Sequence, residues 1–163
     1  IAGDFKSVVD GTAGNDVITL TSGYVDSEGD SITTGNDFVL AGDGNDLINP
    51  GDGNDVVYGG LGNDTIDGGN QNDTLYGGDG ADSIIGGSGN DSILGGDGDD
   101  HLQSGAGSDT VFGDAGNDVI AVSDDHDTNT IDGGSGYDQL VFATPTSTAG
   151  VTVIWTGDGA GTY

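Results

Sequence analysis

Residues 59–67 read Gly59-Gly60-Leu61-Gly62-Asn63-Asp64-Thr65-Ile66-Asp67, the cleanest of ten consecutive nine-residue repeats that fill residues 32–121 without a break in phase. Counting positions one to nine from Gly59, every copy has Asp at position six and an aliphatic residue at position eight. Glycine recurs at positions one, two and four, where it permits backbone angles closed to other residues, so each six-residue loop can turn sharply. Positions seven to nine are too few for a helix. As a short strand they turn the eighth residue inward and the seventh and ninth outward. The eighth residues are Val39, Ile48, Val57, Ile66, Leu75, Ile84, Ile93, Leu102, Val111 and Ile120, with no polar residue among them. A coil of glycine-rich turns and short strands follows.

Outward from this array the pattern loosens. An isolated copy occupies residues 11–19, and residues 20–31, which include the only glutamate, Glu28, interrupt the phase as a loop or degenerate coil. Two residues are inserted after Ala121, followed by a weak copy at 124–132 with Asn129 in the aspartate position and a good copy at 133–141. The tail shifts to Thr, Ala and Pro and contains Val151-Thr152-Val153-Ile154-Trp155, whose β-branched and aromatic residues predict a strand that caps the stack. The chain therefore divides into a lead-in (1–31), a ten-repeat array (32–121), a degenerate continuation (122–141) and a cap or the start of a further segment (142–163).

With 35 glycines and 32% hydrophobic residues in 163, little material exists for an ordinary core. Twenty-nine acidic residues against one basic residue give a formal charge of -28, which opposes compaction and repels nucleic acid and anionic membranes. Cations are the natural partners. Cysteine is absent, removing disulfides and thiolate metal sites, and no apolar stretch approaches the roughly 20 residues of a membrane helix, so no membrane insertion is expected. A start at Ile1 rather than Met suggests a segment of a larger protein.

The glycine and aspartate pattern resembles the RTX nonapeptide family, GGxGxDxUx, over about residues 11–141. The resemblance implies an all-β, right-handed parallel β-roll in which two nonapeptides make one turn and stacked neighbours lie eighteen residues apart. The array then forms two sheets of five strands. Asp37, Asp55, Asp73, Asp91 and Asp109 stack along one edge, and Asp46, Asp64, Asp82, Asp100 and Asp118 along the other.

Each column is then a ladder of like charge. Carboxylates about 5 Å apart at an effective dielectric near 20 repel by roughly 3 kcal/mol. An ion midway between strands spaced roughly 4.8 Å apart would lie about 2.4 Å from each, inside the range of calcium–oxygen bonds. Zinc and copper are disfavoured by the absence of thiol and the near absence of imidazole, and magnesium prefers a tighter octahedron. The resemblance likewise implies Ca2+, held by the sixth-position aspartates and the carbonyls of the glycine turns: Gly35, Gly44, Gly53, Gly62, Gly80, Gly89, Gly98, Gly107 and Gly116. Ten loops in two columns leave about eight gaps, and the flanking Asp16 and Asp138 can add imperfect ones. Asp43, Asp52, Asp79 and Asp97 at position three are either solvated surface charge or further ligands. Gln71 replaces glycine at position four and predicts a strained turn. Asparagine fills position five in seven of the ten copies, explicable by its tolerance of left-handed angles.

Position nine reads Leu40, Tyr58, Tyr76, Leu94 and Phe112 on one sheet, an apolar outer face that suggests docking of the tail strand, the parent chain or a protein partner, with a cell-surface glycan as a further occupant. Cross-strand pairs that merely strengthen the sheet are the simpler explanation. Catalysis has little support: His101 is at an outward position, His126 lies in an irregular loop, and neither HExxH nor GxSxG occurs, so the segment is read as not an enzyme. The resemblance implies a calcium-dependent structural module of a bacterial protein exported by a type I system, folding outside the cell and stabilising an adhesin, surface-layer protein, toxin or hydrolase. The alternative is a binding or adhesion module that uses the apolar face.

Overall fold

The computed structural model describes residues 7–19, 32–123, 127–142 and 152–155. Within them there are only strands, turns and bends, and all strand pairs are parallel, as a chain too rich in glycine for helices requires.

Eight strands form one sheet: β1 (Ser7–Asp10), β3 (Asp37–Asp43), β5 (Val56–Leu61), β7 (Thr74–Asp79), β9 (Ser92–Asp97), β11 (Thr110–Ala115), β13 (Thr128–Asp132) and β15 (Thr152–Trp155), in that spatial order. Seven form the other: β2 (Val17–Thr19), β4 (Leu47–Asn49), β6 (Thr65–Asp67), β8 (Ser83–Ile85), β10 (His101–Gln103), β12 (Val119–Val122) and β14 (Gln139–Phe142). Successive strands alternate between sheets, so two repeats complete one turn. Within the array the register is eighteen residues, as in Tyr58 opposite Tyr76 and Ile66 opposite Ile84.

The interior is one file of aliphatic side chains. All ten eighth-position residues have 0% exposure, and Val9, Ile18 and Ile131 continue the file at both ends. Burial of each contributes about 1.5–3 kcal/mol. β1 is not anticipated by the repeat pattern. Its sequence Ser-Val-Val-Asp has no glycine turn of the motif before it, yet Val9 pairs with Val39 and is fully buried.

Strand lengths are unequal. In the smaller sheet the array strands hold the expected three residues, apart from β12 with four, whereas β5, β7, β9 and β11 run for six, continuing through positions one and two, a glycine pair except for Gly113-Asp114 in β11, into position three. Pairing of Gly60 with Gly78 and of Leu61 with Asp79 carries that extension.

Both phase breaks leave the coil undisturbed. The twelve inserted residues lie between β2 and β3, and β2 still pairs with β4 through Ile18 and Ile48. At the end of β12 the extra residue Val122 is buried and pairs with Phe142, and Ile131 still stands opposite Val111.

On the outer face of the larger sheet, the Tyr58 and Tyr76 rings stack with centroids 4.4 Å apart and planes 4° from parallel. Phe38 tilts against Tyr58 at 5.7 Å. Leu40 and Tyr58 remain 40% and 38% exposed, and Tyr76, Leu94 and Phe112 are half-buried. The tail strand does not lie across this face: β15 joins the sheet edge beside β13, placing Trp155 in register with Ile131.

Candidate metal centre

Position six stands immediately before or at the start of each strand, and its aspartates are fixed by the coil that precedes them. The backbone N–H of Asp37 donates to Asp55 Oδ1 at 2.7 Å, that of Asp55 to Asp73 at 2.8 Å, Asp73 to Asp91 at 2.9 Å and Asp91 to Asp109 at 2.9 Å. The other column repeats this from Asp46 to Asp64, Asp82 and Asp100 at 2.8 Å each, and from Asp100 to Asp118 at 2.9 Å. The flanking residues join the same column, since Asp16 donates to Asp46 at 2.7 Å and Asp118 to Asp138 at 3.1 Å. Asn129 takes the place after Asp109, accepting its N–H at 2.7 Å.

Nine of these carboxylates spend one oxygen on this bond and keep the other bare. Oδ2 of Asp46, Asp55, Asp64, Asp73, Asp82, Asp91, Asp100, Asp118 and Asp138 is buried and accepts no hydrogen bond from the chain. A buried carboxylate oxygen without a donor is costly unless a cation satisfies it.

Glycine at position one has a reason other than backbone freedom. Positions two and four adopt positive φ, as in Gly60 at +120° and Gly62 at +116°, but no position-one glycine does. Instead, a Cβ on Gly68 would lie 2.6 Å from the Gly86 carbonyl oxygen and 2.8 Å from Asp73 Oδ2. A Cβ on Gly77 would strike Asp82 Oδ2 and the Gly95 carbonyl in the same way. At Gly59, Gly68, Gly77, Gly86, Gly95 and Gly113, carboxylate and carbonyl oxygens thus converge on a space that a side chain at position one would fill, whereas Ile32, Ala41, Pro50 and Ser104 hold that position in the other four array loops. The oxygen of position four also faces the next loop: Gly44, Gly62, Gly80, Gly98 and Gly116 each present a carbonyl to the position-four glycine stacked above.

The residues present therefore suit a hard, oxygen-seeking divalent ion. Among the described residues no three His, Cys, Asp or Glu side chains cluster as a metal site, because the carboxylates are spread one per loop and backbone oxygens complete the set.

Burial dominates the electrostatics. Desolvation pushes the Asp73 carboxyl up to about 8, Asp100 to about 7 and Asp55, Asp64 and Asp118 to about 6; Asp46, Asp82 and Asp91 are also raised. The backbone N–H bond opposes the shift, and repulsion from column neighbours comes after it, as at Asp73 and Asp64. The sequence pattern emphasises like-charge repulsion, but the N–H clamp separates the charges and leaves loss of water as the larger penalty.

Position five works differently from its sequence reading. No asparagine has positive φ. Asn45 Oδ1 instead accepts from Asn63 N at 2.9 Å, Asn63 from Ala81 N at 3.0 Å and Asn72 from Asn90 N at 2.7 Å. The amide ladder reaches toward the following coil, whereas the carboxylates reach toward the preceding one. Gln71 does adopt φ +80°, and Asp114 at position two adopts +71°.

Asp43, Asp52, Asp79 and Asp97 are exposed and are not drawn into the columns; Asp52 Oδ1 accepts from Asn70 Nδ2 at 2.7 Å. Gly53, Gly62, Gly80, Gly89, Gly98, Gly107 and Gly116 line the turns as positive-φ residues, as does Gly44, while Gly35 does not adopt positive φ. His101 is exposed, and His126 lies outside the described residues.

Fold and site together define a parallel β-solenoid whose turns hold stacked carboxylates and inward-facing carbonyls. A family model described as the RTX calcium-binding nonapeptide repeat matches residues 1–23, 33–57, 58–93, 85–120 and 94–128, and the chain belongs to that family. It is thus a calcium-binding structural repeat module of a kind typical of secreted bacterial proteins. No curated protein sequence matches it. Among the described residues, no helix is long and apolar enough to cross a membrane.

Proposed function

We propose that this segment is a calcium-driven folding module of a larger bacterial protein exported by a type I route, held open where calcium is scarce and closed outside the cell or at its surface. The observation that carries this reading is the row of buried, unpartnered Oδ2 atoms. Asp37, Asp46, Asp55, Asp64, Asp73, Asp82, Asp91, Asp100, Asp109 and Asp118 supply carboxylate oxygens, with Asp138 at one end, and glycine carbonyls supply the remainder. When bound, calcium contributes divalent charge to six to eight oxygens without demanding rigid geometry. In the folded coil the N–H clamps on Oδ1 fix those oxygens, and glycine at position one, at Gly59, Gly68, Gly77, Gly86, Gly95 and Gly113, leaves room beside them. The core is a single aliphatic file and the formal charge is -28, so the polar columns decide whether the coil forms. About eight gaps in the array fit this role.

The test is a calcium titration at neutral pH followed by circular dichroism, with magnesium as control. Strand structure should appear with calcium and not with equal magnesium; a strand signal that persists unchanged in chelator overturns the reading.

A second reading is favoured by the exposure of Leu40 and Tyr58 in one column with Tyr76, Leu94 and Phe112: this face holds a protein partner, the parent chain or a cell-surface glycan. Replacing Tyr58 and Tyr76 with Ser separates the two. Lost partner binding with intact calcium-induced folding supports docking, and lost folding supports a purely structural face.

A further inference from the structure

Thr12 and Thr33 stand at position two of the first repeat loop in each column, where the array otherwise carries glycine or, once, Asp114. Thr12 donates to Asp16 Oδ2 through its N–H at 2.6 Å and its hydroxyl at 2.9 Å, and the same hydroxyl lies 3.4 Å from the Gly14 carbonyl oxygen. Thr33 does the equivalent: its N–H reaches Asp37 Oδ2 at 2.9 Å, and its hydroxyl lies 2.9 Å from Oδ1 and 3.2 Å from Oδ2. One loop further along each column, Asp46 Oδ2 and Asp55 Oδ2 are buried and accept nothing. The oxygen that is bare in the inner loops is therefore already satisfied in the first.

The gap itself differs too. A Cβ on Gly59 would meet both Asp64 Oδ2 and the Gly77 carbonyl oxygen, but one on Gly11 would meet the Ala41 backbone at closest range. The Ala41 carbonyl oxygen faces Gly11 as the Gly77 carbonyl faces Gly59, but Asp16 Oδ2 already carries the two Thr12 donors.

We propose that Thr12 and Thr33 are caps that close the first gap of each column to calcium, so that ion uptake begins at Asp46 and Asp55, and Asp37 with its gap to Asp55 drops out of the array's ion sites. This inference rests on the calcium reading of the inner gaps. Two hydrogen-bond donors on one carboxylate oxygen use its lone pairs and turn partial positive charge into the space an ion would need. The hydroxyl also sits beside Oδ2, at 2.9 Å in Asp16 and 3.2 Å in Asp37, where glycine has no side chain. The first coil then holds its carboxylates without metal, giving the calcium-loaded coils a fixed end against which to stack.

The experiment compares bound calcium per chain, by equilibrium dialysis and native mass spectrometry, in the unaltered protein, in T12G and T33G, and in T12S and T33S. Each glycine variant should bind about one more ion than the unaltered chain, and each serine variant, which keeps hydroxyl and N–H, should match it. T12V and T33V, which keep the bulk without the hydroxyl, give a second measurement and should raise calcium affinity at the first gap less than glycine does. An unchanged count in both glycine variants overturns the proposal, as does an equal gain in the serine variants. Absence of bound calcium in the unaltered chain is a different result, and removes the underlying reading together with this one.

Discussion

The backbone N–H of Asp64 donates to Asp82 Oδ1 across 2.8 Å, while Asp82 Oδ2 stays buried and unpartnered. One carboxylate thus performs two separable tasks: one oxygen joins coils, and the other faces the gap.

Substitution D82N should separate them. Asn129 shows that an amide oxygen can accept the coil-joining bond, since it takes the Asp109 N–H at 2.7 Å, but its Nδ2 is left buried without a partner. D82N should keep the fold at saturating calcium, lose about one ion and weaken affinity at the adjoining gap at least about tenfold, or about 1.4 kcal/mol. D82A should lose both functions and require markedly more calcium to fold. Isothermal titration calorimetry checks both.

Acid should partly replace calcium. Burial raises the folded-state carboxyls of Asp55, Asp64 and Asp118 to about 6, Asp100 to about 7 and Asp73 to about 8, from the ordinary 3.8. A folded state with raised carboxyl values binds more protons than the unfolded chain, so this contribution is complete below about 3.8 and is lost as pH rises through about 6 to 8. In chelator, strand content should therefore grow as pH falls below about 6 and vanish above about 8, and apparent calcium affinity should weaken over the same fall. Circular dichroism against pH, with and without chelator, measures this; strand content that is flat in chelator counts against it.

Adjacent glycines should fail for different reasons. Gly77→Ala places a methyl against Asp82 Oδ2 and the Gly95 carbonyl at ordinary φ, so it should lower the calcium count by about one. Gly78→Ala forces a side chain to φ +120° and against the Gly60 carbonyl, so it should cost about 1–3 kcal/mol while the count is kept. Ion counts and thermal melts on the two variants distinguish these outcomes.

Relief of strain should be measurable at Gln71. Its φ of +80° in place of glycine suggests that Gln71→Gly stabilises the loaded fold by about 1 kcal/mol. Its thermal midpoint should rise by a few degrees; no rise would show that the side chain compensates for its backbone.

Much of this was legible in the repeat because nine-residue periodicity fixes which side chain turns inward, and the file from Val39 to Ile120 follows it without exception. The edge columns were legible once neighbours were set eighteen residues apart. What the repeat concealed lies in hydrogen-bond direction. Asparagine at position five suits a left-handed turn and an amide ladder equally well, and only the bond from Asn63 N to Asn45 Oδ1 separates them. Glycine at position one likewise looks like glycine at position two, although one is excluded by neighbouring oxygens and the other by φ. β1 escaped because Ser7 stands where the motif requires aspartate, while Val9 alone carries the packing.

The two breaks in phase fall at the same point of the repeat, after position nine of a copy whose strand belongs to the seven-stranded sheet, once following Thr19 and once following Ala121. Across them the ladder closes at separations of thirty and twenty residues, through Asp16 with Asp46 and Asp109 with Asn129. The solenoid thus has a tolerated splice junction along one side. Foreign segments grafted there would hang from the scaffold with every downstream column still aligned, whereas even one residue added between positions one and six would throw the ladder out of register.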